Sequence, residues 1–339
     1  MNVFMSNKME LSTYEHSFKS VLKPYIIQYL KLKDASGIKL DNHVYTLLSL
    51  DKIALSEKHR NPEVTGQLYI AWRNSLGAVK PVTVYEKICI VGQFCRYLVR
   101  LGAGDFIPDY PRKPAKGYVP HIFTKEELRR IFNAADNLLL QRRDMSNILF
   151  CVPALLRLLY STGIRIGEAC SLVNKDIDLN RGIITIRNTK NGQERALPIC
   201  DSLNNVLVQY QTKRKLVPVK DVDNPESPYF ISLKGKRIAS SSILSWFHKI
   251  LKDSGITYIP HIGPRIHDLR HTFAVHALDT MSRGGKDIYC GLPILSVALG
   301  HKCVSDTELY VRITNQVYPD LSTMSSKIAE HIFPTIKSI

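Results

Sequence analysis

Apolar residues recur at helical spacing through the first third of the chain and predict helices. Within residues 13–33 they fall at intervals of three and four: Phe18, Leu22, Tyr25, Ile26, Tyr29 and Leu30. Asp41 is placed to cap a second helix, and Pro62 is placed in the first turn of a third. A fourth pattern begins at Pro81 and stops at Gly102. No strand pattern interrupts these segments, so a small helical bundle is expected over residues 1–102.

Proline and glycine replace this periodic pattern over residues 103–119, which contain Pro108, Pro111, Pro114, Gly104 and Gly117. These residues exclude a continuous helix, so we interpret the stretch as an extended linker between two domains. Three cations lie within it: Arg112, Lys113 and Lys116. If the chain binds nucleic acid, we expect these cations to follow the phosphate backbone.

A second domain is expected over residues 120–339. Thr124 and Glu127 have the spacing of a capping box at the start of a helix. An apolar helix is predicted over residues 148–160, ended by Gly163 and followed by a short helix. Further helical patterns cover residues 202–216, 240–251, 267–278, 292–299 and 306–313, and a last one, residues 321–332, forms a C-terminal tail.

One hairpin provides the sheet signal of this domain. A β-branched run over residues 183–187 is followed by a turn at Asn191 and Gly192 and by a returning segment, residues 195–199. Lys190 lies next to the turn. The predicted fold class is therefore mainly α with a small antiparallel β-sheet, in a helical N-terminal domain and an α+β second domain.

The net charge of the chain indicates which classes of partner it binds. The chain has 46 Lys and Arg against 30 Asp and Glu, a formal net charge of +16. Nucleic acid and anionic membrane are the partners that neutralise such an excess, and a basic surface without a specific role is the alternative. No strongly basic amphipathic helix stands out at the ends of the sequence, and no apolar run reaches the length of a membrane span. Nucleic acid is therefore favoured, and neither a membrane partner nor a secretion signal is expected.

The seven cysteines indicate a reducing compartment. They are odd in number, widely spaced and without a Cys-x-x-Cys pair. We interpret them as reduced, mostly buried thiols of a cytoplasmic protein, and we expect no zinc site.

Dispersed cations in the second domain suit chemistry on a phosphodiester. Arg165, His267, Arg270 and His301 are separated in sequence, and only Glu168 is near enough to one of them to cancel its charge. Two guanidiniums bind phosphate oxygens bidentately and stabilise the charge of a pentacoordinate transition state. The acidic clusters of two-metal nucleases are not visible in the sequence, so no metal ion or other cofactor is expected.

Tyr310 is the candidate nucleophile of such a reaction, and Lys190 at the hairpin tip is the candidate general acid for the departing 5′ oxygen. Each residue also has an ordinary interpretation. Tyr310 is one of 16 tyrosines, most of which are expected to be core or surface residues. Arg165 alone would be a surface salt-bridge partner of Glu168, and Lys190 a solvated hairpin lysine. His267 and His271 have a spacing that can bind a metal ion, but no third ligand is evident.

The order and spacing of these residues resemble the tyrosine recombinases, the phage integrase family. Residues 162–168, Thr-Gly-Ile-Arg-Ile-Gly-Glu, look like the first arginine box of that family, and residues 184–198 look like its lysine hairpin. Residues 267–274, His-Asp-Leu-Arg-His-Thr-Phe-Ala, match the second box. Leu-Gly-His at residues 299–301, with Tyr310 nine residues later, matches the third. The resemblance covers about residues 120–315.

The resemblance implies a site-specific DNA recombinase that cuts and rejoins strands through a 3′-phosphotyrosine intermediate and a Holliday junction, without metal ion or ATP. It implies a SAM-like core-binding domain at residues 1–102 and a catalytic domain at residues 120–339. Carried over position by position, the catalytic residues are Arg165, Lys190, His267, Arg270, His301 and Tyr310, supported by Glu168 and His271. The implied partners are double-stranded DNA, three further protomers in a tetramer on two DNA sites, and accessory or sister recombinase proteins. The implied location is the cytoplasm, in association with the nucleoid.

One segment departs from the pattern of many family members. Residues 283–296 form a longer joint between the second box and Leu299, and we expect this segment to influence when Tyr310 is presented. The Leu-Pro-Ile-Leu-Ser form of residues 292–296, together with residues 307–314, resembles the integrases carried by transposons and favours a role in integrating or excising a mobile element. Two other functions fit the same residues: a type IB topoisomerase-like enzyme that relaxes DNA without synapsis, and a non-catalytic DNA-binding protein on the same scaffold.

Overall fold

The computed structural model describes residues 14–114, 118–139, 148–187, 194–260 and 262–319. The chain divides into two compact units, Met1–Gly117 and Tyr118–Ile339. Each unit contains its own buried apolar cluster. Among the helices of these ranges, none is long and apolar enough to cross a bilayer.

Helices form the first unit: α1 (Lys23–Ala35), α2 (Asp41–Ser56), α3 (Gly66–Ser75) and α4 (Pro81–Arg100). Their buried residues form one apolar cluster, in which Trp72 is fully buried and donates from Nε1 to Ser49 Oγ at 2.8 Å. The helices predicted at α2 and α4 are confirmed, and Gly102 follows α4 with a positive φ of 69°. Asp41 does not cap α2, because it is the first residue of the helix and the N-cap is Leu40, without a side-chain hydrogen bond.

The other two helices of this unit begin later than the sequence predicted. Asp51 on α2 accepts hydrogen bonds from the backbone N–H groups of Lys19 and Ser20 at 2.9 and 3.0 Å. Those amides point to a carboxylate instead of to a helix ladder, so the prediction of helix is wrong for residues 16–22. The predicted start of α3 at Pro62 is also wrong, because the Thr65 side chain caps α3 and supplies the acceptor that a helix start needs.

In the second unit, helices come both before and after a small sheet along the chain. Before the sheet come α5 (Lys125–Asp136), α6 (Val152–Thr162) and α7 (Ile166–Ser171); after it come α8 (Asp201–Lys215), α9 (Ser240–Asp253), α10 (Asp268–Arg283), α11 (Ile288–Leu299) and α12 (Ser305–Val317). The capping box of Thr124 and Glu127 is confirmed at the start of α5. Helix α6 is largely apolar and buried, and it packs against α5, α8 and α10. The helix predicted over residues 321–332 lies outside the described residues.

The sheet is antiparallel, with the strand order β1 (Ile177–Asp178), β2 (Ile183–Ile186) and β3 (Arg195–Pro198). In the ladder, Ile184 is opposite Leu197 and Ile186 is opposite Arg195. The predicted strands of the hairpin are confirmed, whereas its turn at Asn191 and Gly192 lies outside the described residues. Strand β1 was not predicted, because two residues are too few to show alternation. Helices with one small antiparallel sheet confirm the predicted fold class.

Residues 283–296 are mostly helical, because α11 begins at Ile288, four residues before the start predicted at residue 292. Helix α10 ends at Arg283, Gly285 takes a positive φ of 72°, and Asp287 accepts from the N–H of Tyr289 at 2.8 Å. The Gly-Gly pair reverses the chain and the aspartate caps the next helix, so residues 284–287 are sufficient as a connection.

The prediction that most cysteines are buried is wrong, although all seven are free thiols. Cys95, Cys151 and Cys170 are buried and Cys89 is half-buried, whereas three are exposed: Cys200, Cys290 and Cys303. The exposed ones precede or begin helices, where neighbouring polar residues face solvent.

Gly163 is a position where we expect no side chain to be tolerated. It ends α6 with a φ of 65°, and an added Cβ would lie 2.3 Å from Cδ1 of Phe273 and 2.9 Å from Cδ2 of Leu299. The left-handed conformation alone costs a residue with a Cβ about 1–2 kcal/mol, and the overlap adds to that cost. We expect Gly163→Ala to lower the free energy of unfolding by more than about 2 kcal/mol in a urea titration.

Gly167→Ala is the matched control for this prediction. Gly167 lies within α7, and nothing lies within 4 Å of a Cβ added there. Alanine should therefore stabilise the unit by about 0.5–1 kcal/mol through its higher helix propensity. Equal effects of the two substitutions would contradict the assigned role of Gly163.

Candidate active site

Arg165 begins α7 and is tied to a buried carboxylate. Glu168 Oε2 accepts from the backbone N–H of Arg165 at 3.0 Å, and Glu168 Oε1 accepts from Arg165 Nη1 at 2.9 Å. The Glu168 side chain is 6% exposed and the Arg165 side chain 28%, so this pair is not the surface salt bridge of the ordinary interpretation. Burial by itself would raise the pKa of Glu168, but hydrogen bonds from Arg195 and Arg165 lower it. Glu168 is therefore a carboxylate at neutral pH.

Arg270 is fixed by the ends of two other helices. It is 2% exposed, and its guanidinium donates from Nη1 to Gly163 O and from Nη2 to Leu299 O, both at 2.8 Å. Burial lowers the pKa of Arg270 to about 10, and the nearby Arg165 adds to that effect. The guanidinium still carries its charge at neutral pH, so α10 delivers a fixed cation into the site.

The start of α10 is anchored by Asp268, which is fully buried. Its carboxylate accepts from Tyr118 Oη at 2.5 Å and from the backbone N–H of Arg265 at 2.8 Å. A carboxylate in the first turn also suits the helix dipole. Asp268 therefore holds in place the first turn of the helix that carries Arg270 and His271.

Three guanidinium groups meet at the C-terminal end of α11. They donate to three consecutive carbonyl groups: Arg195 Nε to Ala298 O at 2.9 Å, Arg270 Nη2 to Leu299 O at 2.8 Å, and Arg165 Nη2 to Gly300 O at 3.2 Å. The last carbonyls of a helix have no partner within the helix and carry partial negative charge. The end of α11 therefore holds three cations side by side.

Tyr310 lies in α12 and is 3% exposed. Its Oη is 2.9 Å from Nδ1 of His271, and its ring is nearly parallel to that of His301, with ring centroids 6.2 Å apart. Burial raises the pKa of Tyr310 above its usual value, although Arg270 and Arg165 act against this. The phenol is therefore protonated in the resting site, and His271 is its hydrogen-bond partner.

His301 is held by the helix that carries Tyr310. Its Nδ1 is 2.8 Å from Oγ1 of Thr307, and Thr307 is fully buried in α12. This hydrogen bond fixes the orientation of the ring and leaves Nε2 as the nitrogen of His301 that can serve a substrate.

The histidines of the site are neutral at pH 7. Loss of hydration, together with Arg270 and Arg165, lowers the pKa of both His267 and His301 to about 4. Burial, and then the neighbouring His267, lower the pKa of His271 to about 3. His267 keeps part of its surface in solvent, so screening weakens the effect of the charges more for His267 than for His271.

The structure brings together most of the sequence-predicted site: Arg165, Glu168, His267, Arg270, His271, His301 and Tyr310. Lys190 and Lys116 lie outside the described residues. Arg112 and Lys113 lie in the first unit, in a stretch without helix or strand. Over the part of the chain that the structure describes, no group of three or more His, Cys, Asp or Glu is placed to hold a metal ion.

Arg195 and Thr307 are contacts of the site that the sequence reasoning missed. On a strand with one buried and one solvent-facing side, an arginine is expected to face solvent, yet Arg195 is buried and Ala196 is exposed. The available signal was that Arg195 is in phase with the buried Leu197. The signal for Thr307 was its spacing of three residues from Tyr310, which puts both on one face of a helix.

Comparison with known proteins places this geometry in a family. A family model described as the Phage integrase family matches residues 121–316. The tyrosine recombinase XerC of Thermodesulfovibrio yellowstonii is 30% identical over 238 residues, which cover 68% of this chain and 71% of that protein.

Two solved structures share the fold. The XerH site-specific recombinase bound to palindromic difH substrate, a post-cleavage complex, matches with a TM-score of 0.62 and 18% identity over 96% of this chain and 90% of that one. A lambda integrase tetramer bound to a Holliday junction matches with a TM-score of 0.56 and 16% identity over 89% of this chain and 83% of that one.

The neutral histidines predict how the second unit responds to acid. In the unfolded chain an imidazole binds a proton near pH 6.5, whereas folded His271 does so only near pH 3 and His267 and His301 near pH 4. Between those values the unfolded state binds more protons than the folded state. The stability associated with these groups is therefore complete above pH 6.5 and is lost as the pH falls towards 4.

His271→Asn removes one of these groups, so its urea midpoint should fall less steeply than that of the wild type between pH 6.5 and 4.5. The substitution also removes the hydrogen bond to Tyr310, which lowers stability at every pH. The slope, not the level, is therefore the quantity to compare. Equal slopes in variant and wild type would show that His271 is not held neutral by the fold.

Proposed function

The chain belongs to the phage integrase family, and on this premise we propose that it is a tyrosine-type site-specific DNA recombinase. It breaks and rejoins DNA strands through a covalent 3′-phosphotyrosine. The observation that carries this proposal is the 2.9 Å contact between Tyr310 and His271 beside the guanidiniums of Arg165 and Arg270. A phenol, a neutral base and fixed cations are the groups that attack on a phosphodiester requires.

The two guanidiniums bind the scissile phosphate. Arg165 and Arg270 present planar donors that match phosphate oxygens and hold the added negative charge as phosphorus becomes pentacoordinate. Both are already held in place by backbone carbonyls at the end of α11. Substrate binding therefore meets cations whose positions are set in advance.

The phenol then attacks the phosphorus atom. The negative charge of the bound phosphate raises the low resting pKa of His271. As Tyr310 Oη forms its bond to phosphorus, its proton passes to Nδ1 of His271, and the bond from phosphorus to the 5′ oxygen breaks. Lys190 gives a proton to that oxygen, which departs as a hydroxyl group. In rejoining, a 5′ hydroxyl attacks the phosphotyrosine and the same protons return, so the energy of the bond is kept without ATP.

His267 and His301 act as neutral hydrogen-bond donors to the other phosphate oxygens. Both have a pKa of about 4, so neither adds a charge at neutral pH. The hydrogen bond to Thr307 points one nitrogen of His301 away from the phosphate and the other towards it.

Double-stranded DNA is the proposed substrate, and a tetramer on two DNA sites is the proposed assembly. The XerH complex with difH and the lambda integrase tetramer on a Holliday junction support both parts of this proposal. Arg112, Lys113 and Lys116 are proposed contacts to the DNA backbone. Accessory or sister recombinase proteins are proposed as further partners, and the nucleoid in the cytoplasm as the place of action.

The proposed biological outcome is integration or excision of a mobile element, from the resemblance of residues 292–296 and 307–314 to transposon-borne integrases. A type IB topoisomerase-like enzyme and a non-catalytic DNA-binding protein are the alternatives. The family match and the tyrosine recombinase relative do not favour either of them.

Covalent capture tests the nucleophile. A pool of nicked random duplexes is incubated with the chain, and DNA that becomes covalently attached is recovered and sequenced. We expect one preferred site and an adduct linked through Tyr310. The nick lets the fragment with the freed 5′ hydroxyl diffuse away, so the strand cannot be rejoined and the adduct accumulates. Tyr310→Phe should abolish the adduct, whereas Tyr289→Phe should leave it unchanged, since Tyr289 lies 67% exposed on α11.

The same experiment separates the alternatives. Adduct formation by Tyr310→Phe would show that the nucleophile is another residue. Relaxation of supercoiled plasmids that lack the selected site would favour the topoisomerase-like enzyme. Sequence-specific binding without any adduct would favour the non-catalytic protein.

A sulfur leaving group tests Lys190. General acid catalysis contributes about 10²–10⁴-fold to a rate, so Lys190→Ala should slow adduct formation by that order. In a duplex with sulfur in place of the 5′ bridging oxygen, the leaving group is a thiolate, which needs no proton. This substrate should therefore restore the rate of adduct formation by Lys190→Ala. Lys213→Ala, at the exposed end of α8, is the control and should cleave both substrates at the wild-type rate. A loss in Lys190→Ala that sulfur does not restore would contradict the role of general acid.

A further inference from the structure

Arg195 joins three parts of the active site, although none of the proposed chemical steps uses it. It lies on β3, it pairs with the carboxylate of Glu168 that also holds Arg165, and it donates to the end of α11. We propose that Arg195 is a positioning residue: it keeps the charge of Arg165 available for the scissile phosphate and fixes the turn that presents His301. The inference rests on the proposed recombinase function.

Burial makes the contacts of Arg195 obligatory. Its side chain is 5% exposed, so its charge and its N–H groups must be satisfied by the protein. Nη2 donates to Glu168 Oε2 at 2.8 Å, Nη1 to Glu168 Oε1 at 3.4 Å, and Nε to Ala298 O at 2.9 Å. An apolar side chain would fill the same space on the strand at lower electrostatic cost, so the charge itself points to a role beyond packing.

Glu168 is shared between two arginines, and this sharing sets the charge on Arg165. Each carboxylate oxygen accepts one bond from Arg165 and one from Arg195. Two guanidiniums and one carboxylate leave a net positive charge. Without Arg195, the carboxylate would be free to pair with Arg165 alone and would cancel most of its attraction for a phosphate.

Arg195 also acts on His301, through its contact with the backbone of Gly300. A Cβ at position 300 would lie 2.7 Å from Nη1 of Arg195, so the guanidinium packs directly against the backbone of this residue. Gly300 has a φ of 65° and ends α11 immediately before His301. Arg195 therefore supports the turn from which His301 leaves the helix.

Single-turnover cleavage tests this role, with the nicked duplex selected by covalent capture as substrate. The variants are Arg195→Met, which removes the charge at similar volume, and Arg195→Lys, which keeps one charge but only one nitrogen. Arg214→Met is the matched control: Arg214 is 1% exposed, donates to Pro228 O at 3.1 Å and to Val222 O, and packs over the ring of Tyr229, all outside the site. The rate constant, the amplitude, the affinity for DNA and the thermal midpoint are measured for each.

We expect Arg195→Met to lower the rate constant by about 10–100-fold, as for other residues that orient a reacting group. Arg195→Lys should fall between it and the wild type. Affinity for DNA should fall only slightly, because the scissile phosphate is one of many backbone contacts and Arg195 itself does not touch the substrate. Arg214→Met should lower the thermal midpoint and the amplitude but not the rate constant, which is the result expected of a buried arginine with a purely structural role.

Two further measurements show whether Arg195 acts on the phosphate-binding residues or on the leaving group. The sulfur-containing duplex should not restore the rate of Arg195→Met, in contrast to Lys190→Ala, because Arg195 acts on the phosphate-binding side and not on the leaving group. Glu168→Gln combined with Arg195→Met should lose less than the sum of the two separate losses, since a neutral amide no longer competes for Arg165.

An unchanged rate constant in Arg195→Met, with only stability or amplitude reduced, would overturn the proposal. If Arg195→Met does not fold, the same judgement rests on Arg195→Lys. Restoration by sulfur would overturn the proposed route, since Arg195 would then act through the hairpin that carries Lys190. A wild-type chain that forms no adduct would instead overturn the recombinase function, and the role of Arg195 with it.

Discussion

The C-terminal end of α11 is the feature on which the site depends. Three consecutive carbonyl groups there accept hydrogen bonds from Arg195, Arg270 and Arg165, which arrive from a strand and two other helices. Like charges repel, so bringing three guanidiniums together needs a compensating charge. The partial negative charge of the helix end and the one carboxylate of Glu168 supply it. The cations can therefore be in place before any phosphate is bound.

Burial and this cationic surrounding together set the protonation states of the histidines and of the phenol. The cationic surrounding contributes to holding His267, His271 and His301 neutral, and it only partly offsets the burial that keeps the phenol of Tyr310 protonated. The resting site thus contains a nucleophile, a base and hydrogen-bond donors in forms suited to the proposed attack. Its three guanidiniums outnumber the one carboxylate of Glu168, and a phosphodiester brings further negative charge to balance them.

The sequence predicted the fold class, most helices of the second unit and the group of residues at the site, because periodicity and motif spacing are local signals. Where it was wrong, distant contacts had decided the outcome. Asp51 on α2 accepts hydrogen bonds from the backbone amides of Lys19 and Ser20, so residues 16–22 are not helical. Arg195 was missed for the same kind of reason, since its partners Glu168 and Ala298 are far from it in sequence.

The acceptors at the end of α11 belong to the backbone and not to side chains. A substitution at Ala298 or Leu299 leaves its carbonyl in place, so drift in the sequence of this helix does not remove the contacts that hold the arginines. Its outward residues, Tyr289, Ile294 and Val297, are each about two-thirds exposed. Substitutions on this exposed face therefore leave in place the carbonyl groups that hold the three arginines.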